Sequence, residues 1–176
     1  MVLAIGNKVV YPSQGPCRIG RIVKRVVDGT PIKFYHLVML GGSGGELFVP
    51  VDKAQDIGVR LLLDRSEIPT LFGQLQTTAS TPGSGRQQTL DNSRRFSSGS
   101  PFDLAIIVES LTALKKTKAL TIVQSQTLDK ARRLLIWEIS EVLEETKEEA
   151  EGQLDQALEV CKEEQAPVST NCLTLP

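Results

Sequence analysis

Residues able to do covalent or metal chemistry are scarce in this chain. It has one histidine, His36, and three cysteines, Cys17, Cys161 and Cys172. The cysteines are odd in number, widely separated and free of any Cys-x-x-Cys spacing. Neither a disulfide framework nor a zinc site can be read from them, and they are taken as reduced, incidental thiols. His36 falls within an alternating strand pattern, and no Ser or Cys in a nucleophile motif accompanies it. A half-buried strand residue accounts for it better than a general base does. The run Gly41-Gly42-Ser43-Gly44-Gly45 invites a phosphate-loop reading. It lacks the Gly-Lys-Ser/Thr ending and no helical pattern follows, so it is read as a hairpin loop. Asp and Glu crowd toward the C-terminal end at surface spacings, which suits solvating charge rather than an acid/base pair or a metal cage. The expectation is a non-enzyme with no catalytic residue, no cofactor and no metal.

What chemistry remains is electrostatic. The net charge of -1 hides a strong asymmetry along the 176 residues. Residues 1–60 carry eight Lys/Arg against four Asp/Glu, and residues 61–137 carry ten against six. Residues 138–176 carry two against eleven. A basic front and an acidic tail suit a protein that meets a polyanion at one end, although a solvated helix face is the default explanation of the acidic part. With 40% hydrophobic residues but only 5% aromatic, the core must be built from Leu, Ile and Val. No apolar run is long enough to span a bilayer and no secretory leader pattern opens the chain, so a cytoplasmic location is expected.

These groups must be held by two different kinds of element. Residues 1–60 read as short strands: Val9 to Tyr11, Arg18 to Val23, Lys33 to Met39 and Glu46 to Pro50. Asp28-Gly29 between two apolar runs signals a tight hairpin. Four or five such antiparallel strands make an SH3-like or Tudor-like barrel. After Arg60 the period changes. Asp64-Arg65-Ser66-Glu67 opens a short helix with Leu71, Phe72 and Leu75 on its apolar side. Residues 76–89 are polar and rich in Thr, Ser, Gly and Pro, and the whole stretch 76–99 is expected to be loop-rich. Ser100-Pro101-Phe102-Asp103 is a helix start, with Ser as N-cap and Pro at the first helical position. Leu104, Ile107, Val108, Leu111 and Leu114 then form one stripe. Leu128, Ala131, Leu135, Ile139 and Val142 form the next. Thr146 to Glu149 is a capping box, followed by the stripe Ala150, Leu154, Ala157, Leu158 and Cys161. Trp137, the one Trp, is expected to be buried against a neighbouring helix. The fold class is α+β, with a barrel domain at 1–60, a helical domain at 61–165 and a flexible tail at 166–176.

The opening Gly6, Val9, Val10, Tyr11, Pro12 and Gly15, in the order Gly-x-x-Val-Val-Tyr-Pro-x-x-Gly, resembles the CarD/CdnL family of bacterial transcription regulators. So does the closing run Val49 to Ala54, followed by Gly58-Val59-Arg60. The likeness continues through Asn92, Ser98-Gly99, Phe102-x-x-Ala105 and Leu128-x-x-Ala131-x-x-x-Leu135. The same barrel occurs as the RNA polymerase interaction domain of the transcription-repair coupling factor. The resemblance implies a barrel that pairs an edge strand with the β-subunit lobe of RNA polymerase, with Arg25, Val26, Leu47 and Phe48 at the contact. Phe48 stands where the family often places Arg. It also implies a helical domain that faces promoter DNA at the edge of the open complex, where a Trp wedges into the minor groove beside basic residues. That Trp falls on Gly85 here. Arg86, Gln88, Arg94 and Arg95 are left as DNA contacts, with Lys115, Lys116 and Lys118 a further basic cluster. Promoter contact is therefore expected to be weak or altered. An alternative is a polymerase-bound adaptor whose helical domain binds a protein, and a stand-alone RNA-binding barrel ranks last. No membrane and no small-molecule substrate are implied.

Overall fold

The computed structural model describes residues 3–12, 14–41, 44–76 and 85–160, apart from the side chains of 85, 86 and 160. Strands β1 (Lys8–Tyr11), β2 (Gly15–Val27), β3 (Thr30–Met39), β4 (Glu46–Pro50) and β5 (Arg60–Leu61) form one antiparallel sheet in the order β4-β3-β2-β1-β5. A short helix, α1 (Ala54–Ile57), lies between β4 and β5. The hairpin at Asp28-Gly29 is the expected two-residue turn, closing on the pair Val27↔Thr30. Both turn residues have positive φ, 49° and 79°, the geometry that matches the twist of the flanking strands.

At Gly20 the β2–β3 register slips, with Ile19 opposite Leu37 but Arg21 opposite His36. That bulge reverses which residues of β2 face inward. Before it Cys17 and Ile19 point into the core; after it Ile22 stands opposite Tyr35 on the inward face. The core they enclose contains Leu3, Val9, Cys17, Ile19, Tyr35, Leu37, Val49, Ala54 and Val59. The sheet wraps this core in the manner of the expected small barrel, and its hydrogen-bonded order ends at β4 on one side and β5 on the other.

The second half is helical: α2 (Ile68–Gln76), α3 (Gly85–Ser98), α4 (Pro101–Thr117), α5 (Ile122–Leu143) and α6 (Lys147–Val160). The stripes of α4 and α5 are the core. Ile107, Val108, Leu111, Leu135 and Ile139 are fully buried, and α6 adds Ala150 and Leu154. Two capping boxes start the long helices. Thr121 and Gln124 begin α5, and Thr146 and Glu149 begin α6 as expected. Ser100 has N-cap backbone geometry but caps with no side-chain bond. Instead Ser98 Oγ donates to Asp103 Oδ2 at 2.6 Å and accepts from Ser100 N.

One expectation is corrected. The stretch 76–99 is not loop-rich throughout, because α3 occupies 85–98. Its sequence carries no apolar stripe, and Leu90 points into solvent. Buried Asn92 and partly buried Phe96 tie it to the helical domain, so tertiary packing overrides a polar local pattern. The tail at 166–176 and Cys161 lie outside the described residues.

The two halves are joined by a polar clamp and two glycine contacts. Arg60 donates Nη1 to Glu138 Oε1 at 2.6 Å and Nη2 to Glu138 Oε2 at 2.8 Å. Its Nε and Nη2 also reach the Gly99 carbonyl at 3.0 and 2.8 Å. Glu138, only 2% exposed, additionally accepts from Leu63 N. Lys8 Nζ pairs with Glu141 at 2.8 Å nearby. Trp137 is half-buried, and its neighbour is the sheet as well as the helical core. A methyl at Gly41 would lie 2.8 Å from the Trp137 ring, and one at Gly15 would lie 3.0 Å from it. The expected packing of Trp137 against a neighbouring helix is thus joined by a seat against the barrel's backbone. Pro12 fills the equivalent space against Gly58 and Gly99.

A buried carboxylate with its partner removed is left uncompensated, whereas the intact fork satisfies both groups. Removing the partner as Arg60→Ala should therefore lower unfolding free energy by about 3 kcal/mol. Urea unfolding followed by the emission of Trp137 measures it, and a loss below about 1 kcal/mol would place the joint's strength elsewhere.

Candidate docking edge and promoter-facing helix

Among the described residues strand β4 pairs only with β3, through Phe34↔Pro50 to Val38↔Glu46, so its other side offers backbone groups that no described strand pairs. Such an edge is a ready template for another strand. Side chains alternate across it. Leu47 and Val49 turn to the core, and Phe48 turns outward.

On the outer face three strands contribute to one stack. The Arg25 guanidinium of β2 lies 4.2 Å from the Phe48 ring centroid. The His36 ring of β3 also stacks on Phe48, with centroids 5.0 Å apart and 25° between planes. His36 is buried, and its Nε2 lies 3.0 Å from Glu46 Oε2, near enough for an ion pair yet not aligned as a hydrogen bond. The histidine therefore supports Phe48 from beneath. A cation held over an exposed ring gains about 0.5–1 kcal/mol, which fixes the direction in which Arg25 presents its donors.

Of the four residues expected at this contact, Arg25 and Phe48 come together, and Leu47 anchors the same strand from its inner side. Val26 does not join them. As the neighbour of Arg25 on a strand it projects from the opposite face, where it is 71% exposed. His36 and Glu46 were not singled out from the sequence for this place. The pairing His36↔Phe48 is a matter of strand register, which the short apolar runs do not display.

The residues expected to face DNA are strung along α3. Gly85 is its first residue, and the side chain of Arg86 lies outside the described residues. Gln88 is half-buried and Arg94 is exposed. Arg95 leans on Asp103 at 3.5 Å, which takes up part of its charge. Lys115, Lys116 and Lys118 are exposed at the end of α4. Among the described residues no group of three or more His, Cys, Asp or Glu could hold a metal ion, and no helix is long and apolar enough to cross a membrane. On α4, burial pushes the Glu109 carboxyl above its ordinary range, and Lys116 only partly opposes the shift.

Residues 3–61 match the family model described as the CarD-like/TRCF RID domain, and residues 70–155 match the model described as CarD, C-terminal domain. Among solved structures, the chain is similar to the 72-residue N-terminal domain of Myxococcus xanthus CarD, determined by solution NMR. That likeness has 39% identity over 34% of this chain and 77% of that chain, with a TM-score of 0.29.

Burial pushes the Cys17 thiol up to about 11, against a smaller opposing effect of the Tyr11 backbone. A thiol of that kind is almost wholly protonated at pH 8 and is a poor nucleophile. In a Cys161→Ser/Cys172→Ser background, Cys17 should resist a disulfide reagent while the chain is folded and react at the ordinary rate in denaturant. Fast reaction in the folded state would show that the barrel opens locally.

Proposed function

The chain belongs to the CarD/CdnL family of RNA polymerase-interacting transcription regulators, and from that premise we propose that β4 is the edge gripped by the polymerase. The partner strand comes from the β-subunit lobe. Main-chain hydrogen bonds along residues 46–50 supply affinity, and outward side chains supply specificity. Phe48 packs into the lobe, and Arg25, steadied over its ring, directs its donors at polar or acidic groups beside it. Leu47 keeps the strand seated in the core during this exchange. The observation that carries the reading is an unpaired strand edge beside an ordered Arg25–Phe48–His36 stack.

The helical domain then acts at the promoter open complex with reduced purchase on DNA. Insertion between base steps costs a few kcal/mol of lost stacking, which a large flat side chain offsets by filling the gap. Gly85 has no side chain to insert. Arg86, Gln88, Arg94 and Arg95 can still meet phosphates, and contacts of that kind weaken steeply with salt. The Arg60–Glu138 clamp holds the two ends in one geometry, so polymerase docking and promoter contact act as one lever.

Binding of the isolated β lobe, measured by calorimetry, should weaken about tenfold in Arg25→Glu and in Phe48→Ala. Unchanged affinity in both variants would remove β4 as the docking edge. For the DNA end, Gly85→Trp should lengthen open-complex lifetime in a competitor-challenge assay. An unaltered lifetime would mean that position 85 does not face the bubble, and the polymerase-bound adaptor would then be the better account.

A further inference from the structure

Strand β2 has a second unpaired edge. Its pairing with β1 runs from Tyr11↔Gly15 to Lys8↔Arg18, and the last bonds join Ile19 to Gly6 and Asn7. Beyond Gly20 no strand lies beside β2 on that side among the described residues, while its other side stays paired to β3 as far as Val27↔Thr30. Residues 21–27 thus form an outer edge, and from Lys24 on, past the last β3–β4 pair at Phe34↔Pro50, β2 and β3 reach beyond the rest of the sheet as a two-stranded arm.

The inward face of this edge runs on from the barrel core, which buries Tyr35 at its base, and beyond Tyr35 its side chains are exposed. Because of the bulge at Gly20 it carries Ile22, Lys24 and Val26 from β2, opposite Tyr35, Lys33 and Pro31 of β3. Ile22 is 44% exposed and Val26 is 71% exposed. Lys24 stands directly opposite Lys33, a like-charged cross-strand pair of a kind that destabilises a sheet. Neither lysine has an acidic partner among the described residues, and no acid stands on this face. An apolar–cationic–apolar alternation with about 6.6 Å between same-face side chains is the complement of an extended strand bearing aliphatic and acidic residues in turn.

We propose that the outer edge of β2 docks an extended acidic–aliphatic segment of a protein partner, whose carboxylates lie between Lys24 and Lys33 and whose aliphatic side chains cover Ile22 and Val26. A second copy of this chain is a poor occupant, since edge-to-edge pairing would bring lysine against lysine. The same charges that forbid self-pairing select the acidic strand. Nucleic acid would satisfy the lysines but leave the two aliphatic side chains uncovered. This surface lies on the opposite face and edge from the Arg25–Phe48 stack and β4, so it goes beyond polymerase docking and can stand or fall separately.

The probe is a short capped peptide of alternating Val and Glu, titrated into the isotope-labelled full chain and followed by amide NMR. Shifts should concentrate at Ile22, Lys24 and Val26. In K24E/K33E the affinity should fall about tenfold or more, and a peptide with Lys in place of Glu should recover binding to that variant. Both substitutions are at exposed positions, so a dispersed spectrum certifies that the variant is folded. Shifts confined to β4, no shifts at all, or K24E/K33E binding the acidic peptide as well as the parent chain would each overturn the proposal. So would an oligothymidylate that produces the same shifts as the peptide, since the site would then be a phosphate site.

Discussion

The buried fork between Arg60 and Glu138 is the interaction on which the arrangement of this molecule rests. Glu138 lies on a helix in the core of the second half, and Arg60 begins the last strand of the first. A carboxylate that deep is tolerated only when both oxygens are satisfied, and here Arg60 and the Leu63 amide meet them. Arg60 in turn holds the Gly99 carbonyl, which fixes the turn leading from α3 into α4. Sheet, bundle and the polar helix are thereby referred to one point. A joint of this kind transmits displacement, because a packed polar network has few alternative geometries.

Much of the fold is legible in the sequence because its local signals agree with its tertiary outcome. Asp28-Gly29 supplies the positive φ values that its turn requires, and the Thr146 to Glu149 box caps the helix it was expected to cap. The stripes of α4 and α5 are the core because their spacing already matches a helical face. Helix α3 is illegible for the opposite reason. Its contacts are Asn92 and Phe96, a polar residue and a lone aromatic, and neither periodicity nor propensity marks them. The motif glycines are visible in the sequence, but their purpose is not. Gly58 and Gly99 clear space for Pro12, and Gly15 and Gly41 clear it for a ring more than ninety residues away.

The candidate docking surface was half legible for a related reason. The family resemblance implies that Arg25, Val26, Leu47 and Phe48 share one contact, yet a strand sends consecutive side chains to opposite faces. The bulge at Gly20 then decides which parity faces the core, and a bulge is a property of two strands together. So Arg25 and Phe48 share a face, and Val26 belongs with Ile22, Lys24 and Lys33 on the other. On the helical side the one Trp of the chain, Trp137, is already committed to the joint. Arg133 and Lys147 stand over its ring at 5.5 and 4.9 Å.

The Trp137 seat also limits how this protein can be recombined with others. A barrel carrying any side chain larger than hydrogen at the positions of Gly15 or Gly41 would collide with the indole, and a bundle lacking the indole would leave a hollow above those two backbones. The two halves are therefore fitted to each other at this contact. A chimera made by exchanging barrels among relatives should be chosen by whether the glycine pair and the indole travel together, because their fit sets the distance between the two layers.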